Sequence, residues 1–340
     1  MPDDDRPIAV YGATGYTGVQ VVDELRRRGA APVLVGRDRE RLADGAGGDE
    51  VRIAALDDAP ALAAAFAGCS AVLNCVGPFQ TSGERVLEAA LAAGAHYLDF
   101  AAEQDPVLAM FDGWDGRARA AGLAVVPALG FYGGLGDLLA SVTARGMTDV
   151  RELTIAYAVD GWVLTHASRA ASALMAGRRR AWRDGRLSLD TDKPRYGSFA
   201  YPAPRGVQPV MEDYPLPEAV TVPRHVATPN VRLVMALATL REILGPDAPA
   251  PDDVTAQQRA DTPFSVVVEA TDVSGTRRSV ATGSDIYGIT APILVDAALR
   301  LVASEAIGVL APSQAFDAAD FLADLAQRWP ALALTGAVAT

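Results

Sequence analysis

Near the N-terminus the chain reads Tyr11-Gly12-Ala13-Thr14-Gly15-Tyr16-Thr17-Gly18, with its three glycines three residues apart. An apolar, β-prone stretch precedes them, and Val19, Val22 and Leu25 recur at helical spacing after them. Strand, glycine-rich turn and helix in this order form a dinucleotide-binding unit. Gly12 permits a sharp turn out of the strand, Gly15 leaves the backbone open to a pyrophosphate, and Gly18 lets the helix lie close to the sheet. Thr14, Tyr16 and Thr17 complete the loop, where the N–H groups and the positive end of the helix dipole face the phosphates. The alternative is a glycine-rich turn that holds nothing; the flanking strand and helix argue against it.

The end of the second strand selects the cofactor. An acidic residue there binds the 2′-hydroxyl of NAD, whereas an arginine accommodates the 2′-phosphate of NADP. Pro32 to Val35 is followed by Gly36-Arg37-Asp38-Arg39, with Arg41 one helical turn later. Guanidinium groups pair with phosphate oxygens, so Arg37 and Arg41 favour NADP(H) over NAD. Asp38 is a counter-signal, and solvated helix-start arginines are the alternative. Asp57, past the third strand, either contacts the adenine edge or caps the next helix together with Asp58. The loop Val76-Gly77-Pro78-Phe79 after the fourth strand is expected beside the nicotinamide, Gly77 allowing close approach and Pro78-Phe79 forming a wall.

Hydride transfer also calls for a proton source. Candidate acids at the strand ends are Tyr97, Asp99, Glu103 and Tyr132. Tyr97 and Asp99 are two apart on one strand and so share a face. Each has a structural alternative, as a core aromatic or a buried hydrogen-bonding group, and water is a further proton donor. His166 is placed where it could reach the cleft.

The rest of the 340-residue sequence restricts the chemistry. Net charge is −12, which opposes a nucleic-acid or anionic-membrane partner. The two cysteines, Cys69 and Cys75, form no disulfide framework, and with three histidines they make no metal set. The acidic start does not read as a signal peptide and no apolar run is long enough to span a membrane, so a cytoplasmic protein is expected. Lys193 is the only lysine, and Leu189 stands four before it. The Tyr-x-x-x-Lys pair of short-chain dehydrogenases is therefore excluded.

Strands are expected at 6–11, 31–36, 51–55, 71–76, 96–100 and 123–126, with helices at 16–28, 38–43, 59–67, 82–93 and 105–121. This alternation predicts a doubly wound parallel sheet with helices on both faces. Gly29, Gly68, Gly94 and Gly122 fall at helix ends. Beyond Gly130 the pattern loosens: helices at 134–145 and 165–177, a strand at 151–159, short irregular strands over 178–233, and a mobile loop at 245–263. A hairpin turns around Val273-Ser274-Gly275, and helices follow at 290–306 and 317–328. The arginines at 178–180 read as a solvated helix end rather than a phosphate site.

Three further segments carry a family resemblance: Val72-Leu73-Asn74-Cys75-Val76-Gly77-Pro78-Phe79, Ala89 to Asp99 continuing to Glu103, and Val125-Val126-Pro127-Ala128-Leu129-Gly130-Phe131. With the glycine motif, and over roughly residues 6–140, they resemble the saccharopine dehydrogenase-like family, which also contains trans-acting enoyl reductases. The resemblance implies an NADP-binding Rossmann-type domain at 1–130 and an α+β substrate and dimerisation domain at 131–289. It implies C-terminal helices at 290–340 that return to the first domain, and hydride transfer to a C=N or C=C bond. Two loops depart from the family pattern: Ala102 replaces a glycine before Glu103, and Phe131 is followed by Tyr132 rather than an acid. Both loops are expected to border the substrate, which places Glu103, Phe131 and His166 around it. The expected activity is reduction of a small or carrier-linked metabolite; a non-catalytic NADP(H)-binding sensor or scaffold is the alternative. The hairpin is expected to pair with a second copy in a homodimer.

Overall fold

The computed structural model describes residues 6–175 and 177–337; the acidic opening at 1–5 lies outside the described residues, as do 176 and 338–340. Six short apolar strands and five helices alternate first. They are β1 (Ile8–Tyr11), α1 (Tyr16–Arg27), β2 (Pro32–Gly36), α2 (Arg39–Ala46), β3 (Glu50–Ile53), α3 (Ala59–Phe66), β4 (Ala71–Asn74), α4 (Phe79–Ala92), β5 (His96–Asp99), α5 (Gln104–Ala121) and β6 (Ala124–Val126). Side chains alternate across the sheet: Ile8 and Val10 enter one apolar core, Ala9 and Tyr11 the other. Gly29, Gly68, Gly94 and Gly122 take left-handed backbone conformations after their helices, as the helix-end reading requires.

Four helices and six strands follow: α6 (Gly134–Ala144), β7 (Glu152–Val159), α7 (His166–Met175), β8 (Arg179–Arg183), β9 (Arg186–Asp190), β10 (Tyr196–Ala200), β11 (Val207–Glu212), α8 (Glu218–Thr221), β12 (Val231–Ala236) and α9 (Leu237–Leu244). The chain ends with α10 (Ala256–Ala260), β13 (Pro263–Asp272), β14 (Gly275–Ser284), α11 (Thr290–Val302), β15 (Gly308–Val309), α12 (Pro312–Ala315), α13 (Ala318–Arg328) and β16 (Ala333–Gly336).

The first sheet is parallel, in the order β15-β6-β5-β4-β1-β2-β3. Leu62, Phe66, Val86 and Met110 of α3, α4 and α5 cover one face. Val21, Leu25, Leu42 and Leu294 of α1, α2 and α11 cover the other. The chain runs outward from β1 to β3 and then returns to β4. That reversal opens a crevice at the carboxyl ends of β1 and β4. The second sheet is mixed, in the order β10-β11-β12-β7-β13-β14-β16, with β8 joined to β12 and β9. Helix α6 lies between the two sheets, and one continuous apolar core runs from β1 and α1 through α6 and α11 to β7, β12 and β13.

Four expectations change. Residues 245–263 are not a bare loop. Asp253 bonds the Ala250 N–H, and Thr255 and Gln258 cap α10 reciprocally. Such side-chain caps order short turns that composition alone reads as unstructured. The hairpin has only part of one edge to offer a second copy: β13 pairs with β7, and β14 with β16 over Ser279–Thr282. The arginine run is not a helix end, because α7 stops at Met175 and Arg179 and Arg180 open β8. Finally, residues after 290 do not all return to the first sheet: β15 extends it, but β16 joins the second.

Candidate functional site

The glycine loop has the shape its residues predict. Gly12 has φ +84°, and a Cβ there would meet Val76 at 2.5 Å. A Cβ at Gly18 would stand 2.1 Å from the Gly12 carbonyl oxygen, so only glycine lets α1 start this close to β1. Gly15 is exposed. Helix α1 begins with no side-chain cap and no acidic residue in its first turn, so no side chain among the described residues caps its N-terminal N–H groups. Arg41 donates through Nη2 to the Thr14 carbonyl at 3.2 Å, which leans it against the loop. Arg37 is exposed at the end of β2 and forms no hydrogen bond or ion pair among the described residues. Asp38 is spent on capping α2, accepting from the Arg41 N–H. Asp58 caps α3; Asp57 stays exposed, within electrostatic reach of Tyr11, as is Arg37. These residues fit a dinucleotide: a backbone cradle open to phosphate, with two arginines where a 2′-phosphate would lie.

The loop Val76–Phe79 is fixed from three directions. Asn74 Oδ1 accepts from the Val76 N–H at 3.1 Å, Ser82 Oγ donates to the Val76 carbonyl, and Glu103 Oε1 accepts from the Phe79 N–H at 3.0 Å. Gly77 and Pro78 are half-buried, and Ala167 of α7 lies 3.6 Å from where a Gly77 Cβ would stand. The Phe79 ring does not form the expected wall. It turns inward against Phe100, with centroids 5.3 Å apart, among Ala101, Val107 and Ala128.

Tyr97 and Asp99 do share a face, but it is an interior one. Both are fully buried. Asn74 donates to the Tyr97 hydroxyl at 3.1 Å, which donates to Asp99 Oδ2 at 2.8 Å. Asp99 Oδ1 accepts from the Ala101 and Ala128 N–H groups. The chain of bonds ties together the ends of β4, β5 and β6, and its members have no route to a substrate. Burial raises the Asp99 carboxyl, opposed by its backbone hydrogen bonds, and carries the Tyr97 hydroxyl well above its ordinary value. Tyr132 is likewise interior. Its ring packs on Phe131, Tyr157 and Trp162, and burial drives its hydroxyl far upward. Phe131 is 2% exposed and meets Tyr157 and Phe264, so it belongs to the core and borders no substrate. Phe131 and Tyr132 are buried because the loop after β6 dives between the sheets to start α6, whereas Tyr97 lies in the core beneath α4 and α5. His166 turns outward and bonds Asp252 at 2.9 Å, both side chains largely exposed.

Glu103 is the candidate acid that lies at a cavity. It lines a small recess between the domains with Gln80, Gln104, Arg178 and Pro215. Burial pushes its carboxyl up to about 7, against the backbone hydrogen bonds from Phe79 and Ala102. The sequence reading missed the partners that the second domain supplies. Arg178 and Arg180 both pair with Asp105, at 3.1 and 2.8 Å, and Gln104 is bonded to both the N–H and the carbonyl of Arg180. The arginine run was the available signal. It also missed Glu218, fully buried, which holds the Gly133 N–H at 2.9 Å and the Tyr157 hydroxyl. Gly136 was its signal: a Cβ there would meet both Tyr157 and Glu218 at under 3 Å.

Residues 8–173 match the family model of the saccharopine dehydrogenase NADP binding domain. The resemblance carried by the four motifs stands. The match supports NADP(H) as the cofactor of this domain. A probable mitochondrial saccharopine dehydrogenase-like oxidoreductase of Arabidopsis thaliana is 28% identical over 148 residues, covering 38% of this chain and 33% of that protein. A lipid droplet localized protein of Caenorhabditis elegans is 30% identical over 139 residues, covering 36% of this chain and 33% of the relative. The matched stretch thus spans about a third of the length of these relatives. Apo saccharopine dehydrogenase (L-Glu forming) from Saccharomyces cerevisiae shares the fold along the whole chain. Its TM-score is 0.63 at 13% identity, covering 97% of this chain and 99% of the yeast one. The names of the first two relatives overturn the cytoplasmic expectation, since they place those proteins in the mitochondrion and at lipid droplets. No helix among the described residues is long and apolar enough to cross a membrane.

Proposed function

We propose that the chain is an NADPH-dependent reductase that adds a hydride to a C=N or C=C bond of a small or carrier-linked metabolite. The observation that carries this reading is the pairing of an uncapped, glycine-cradled helix start with Arg37, a cation without a hydrogen-bond or ion-pair partner among the described residues at the end of β2. The cofactor supplies the hydride when bound. Gly12, Thr14, Gly15, Tyr16, Thr17 and Gly18 hold its pyrophosphate, Arg37 and Arg41 its 2′-phosphate, and Asp57 flanks the adenine. The loop Val76–Phe79, braced by Asn74, Ser82 and Glu103, positions the nicotinamide. Preorganised loops of this kind hold reacting carbons at contact distance without reorganising during the step. Glu103 exchanges the proton that reduction requires, from the recess it lines.

The test is a fluorescence titration of purified protein with NADPH and NADH. NADPH should bind more tightly, and R37A should remove that preference while leaving NADH affinity within about twofold. Binding of neither dinucleotide would reduce the glycine loop to a turn and end the reading.

A second reading, a non-catalytic NADP(H)-binding sensor or scaffold, is favoured by one observation: Tyr97, Asp99 and Tyr132 are all buried away from the crevice. Stoichiometric NADPH oxidation with any imine or enoyl thioester would eliminate it.

A further inference from the structure

Among the described residues two arginines are buried, Arg179 and Arg259. Arg179 pairs with Asp190 at 3.2 Å. Arg259 has no carboxylate partner. Its Nη2 donates to the Pro251 carbonyl and its Nη1 to that of Val254 at 3.4 Å, while its Nε is buried with no partner at all. An ionised guanidinium taken out of water without an anion is costly, so a buried one normally faces a counter-charge. What faces Arg259 is an aromatic ring carried at the start of α1. The Arg259 guanidinium carbon lies 5.2 Å from the ring centroid of Tyr16, the first residue of α1. Tyr16 in turn packs edge-on against Tyr287 of the second domain, with centroids 5.4 Å apart.

The backbone that delivers Arg259 is held on purpose. Beyond the caps of α10, Arg169 of α7 donates to the Pro249 carbonyl at 2.8 Å, and His166 bonds Asp252. Thr262 Oγ1 donates to the Arg259 carbonyl at 2.7 Å. A segment rich in proline and aspartate is thereby strapped to α7 and presents one buried cation over the start of α1. That helix start is itself uncapped, and its N–H groups and dipole call for an anion.

We propose that Arg259 is a second-domain ligand for the pyrophosphate of the bound dinucleotide, completing across the domain boundary an anion site that the glycine loop only half encloses. This rests on the reading of the crevice as a dinucleotide site. Because the pyrophosphate is common to both cofactors, the arginine acts on NADPH and NADH alike, unlike Arg37.

The experiment compares wild type, R259Q and R259K by nicotinamide fluorescence with NADPH and with NADH, each variant first checked for a cooperative thermal transition. R259Q keeps a donor for the Pro251 carbonyl but loses the charge. It should weaken both dinucleotides by the same factor, about tenfold, whereas R259K stays within about threefold of wild type. The inference is overturned if R259Q binds both cofactors within twofold of wild type, or if its loss is confined to NADPH, which would put the arginine at the 2′-phosphate. Should R259Q not fold, the R259K titration decides: a loss of tenfold or more for both cofactors despite the retained charge overturns it. A wild type that binds neither dinucleotide fails the crevice reading instead.

Discussion

At the scale of single residues, the candidate acids separate by what surrounds them rather than by their type. Asp99 and Glu103 are four positions apart and both buried, yet only Glu103 reaches a recess. If Glu103 supplies the proton, turnover requires its protonated form and should fall as pH rises through about 7. E103Q should lower kcat by roughly 10²-fold or more and flatten that limb; a pH–rate profile of both proteins checks this, and an unchanged limb in E103Q would assign the proton elsewhere. Asp99 makes a different expectation. D99N keeps its oxygen on the Ala101 and Ala128 N–H groups, but its N–H₂ then faces the Tyr97 hydroxyl, which already accepts from Asn74 and loses the acceptor for its own proton. An unsatisfied buried donor costs about 1–3 kcal/mol, so urea denaturation should show a loss of that size. A stability as high as wild type would mean that the loop ends do not depend on the carboxylate.

At the scale of elements, the chain's first third was legible because each strand and helix is stated locally: apolar period, glycine cap, next strand. All six expected strands and five helices are present, their ends within three residues of the reading. The glycine loop was legible for the same reason. Phe131 and Tyr132 were not. Their fate is set by Gly133 and Gly134, which turn the chain beneath the second sheet, and no local period announces a partner 25 residues or more away. The same distance hides the join at the start of α6. There His225, on the short turn after α8, bonds Asp137 of α6 at 2.9 Å, and the Ser313 N–H of α12 donates to the same carboxylate. Burial depresses the imidazole, but the Asp137 charge and hydrogen bond outweigh it and hold His225 above its ordinary value. Asp137, despite burial, is held below its own by His225 and its hydrogen bonds. A raised histidine contributes fully below the unfolded value near 6.5 and loses that contribution as pH rises through its folded value. The carboxylate contributes above its unfolded value and loses it as pH falls. Wild type should therefore lose stability relative to H225Q as pH climbs from 6 to 9. Parallel Tm curves for the two proteins over that interval would remove the charged pair from the account.

At the scale of the whole molecule, the two sheets share one apolar core, and a charged network fastens its outer side. Asp296 of α11 is nearly fully buried and accepts from Arg28 at the end of α1, at 2.9 Å, and from Arg300 at 2.7 Å. Arg300 reaches on to Asp320 and Asp324 of α13, and α13 packs on α6 between the sheets. Contacts far from the crevice thus fix α1, which carries the glycine loop at one end and the Arg28 bond at the other. Removing one member of a buried pair leaves the other charge without compensation, at about 3–5 kcal/mol. For D296A the low end applies, because Arg300 keeps two carboxylates and Arg28 keeps Glu24 at 3.8 Å. Since the core is continuous, that loss should move a single transition, not split it. Trp114 reports on the first sheet and Trp162 on the second, each buried in its own apolar cluster. Urea curves of D296A carrying one or the other tryptophan as its only probe should coincide and shift together. Two separated midpoints would show that the sheets unfold independently, and that α11 fastens the first domain alone.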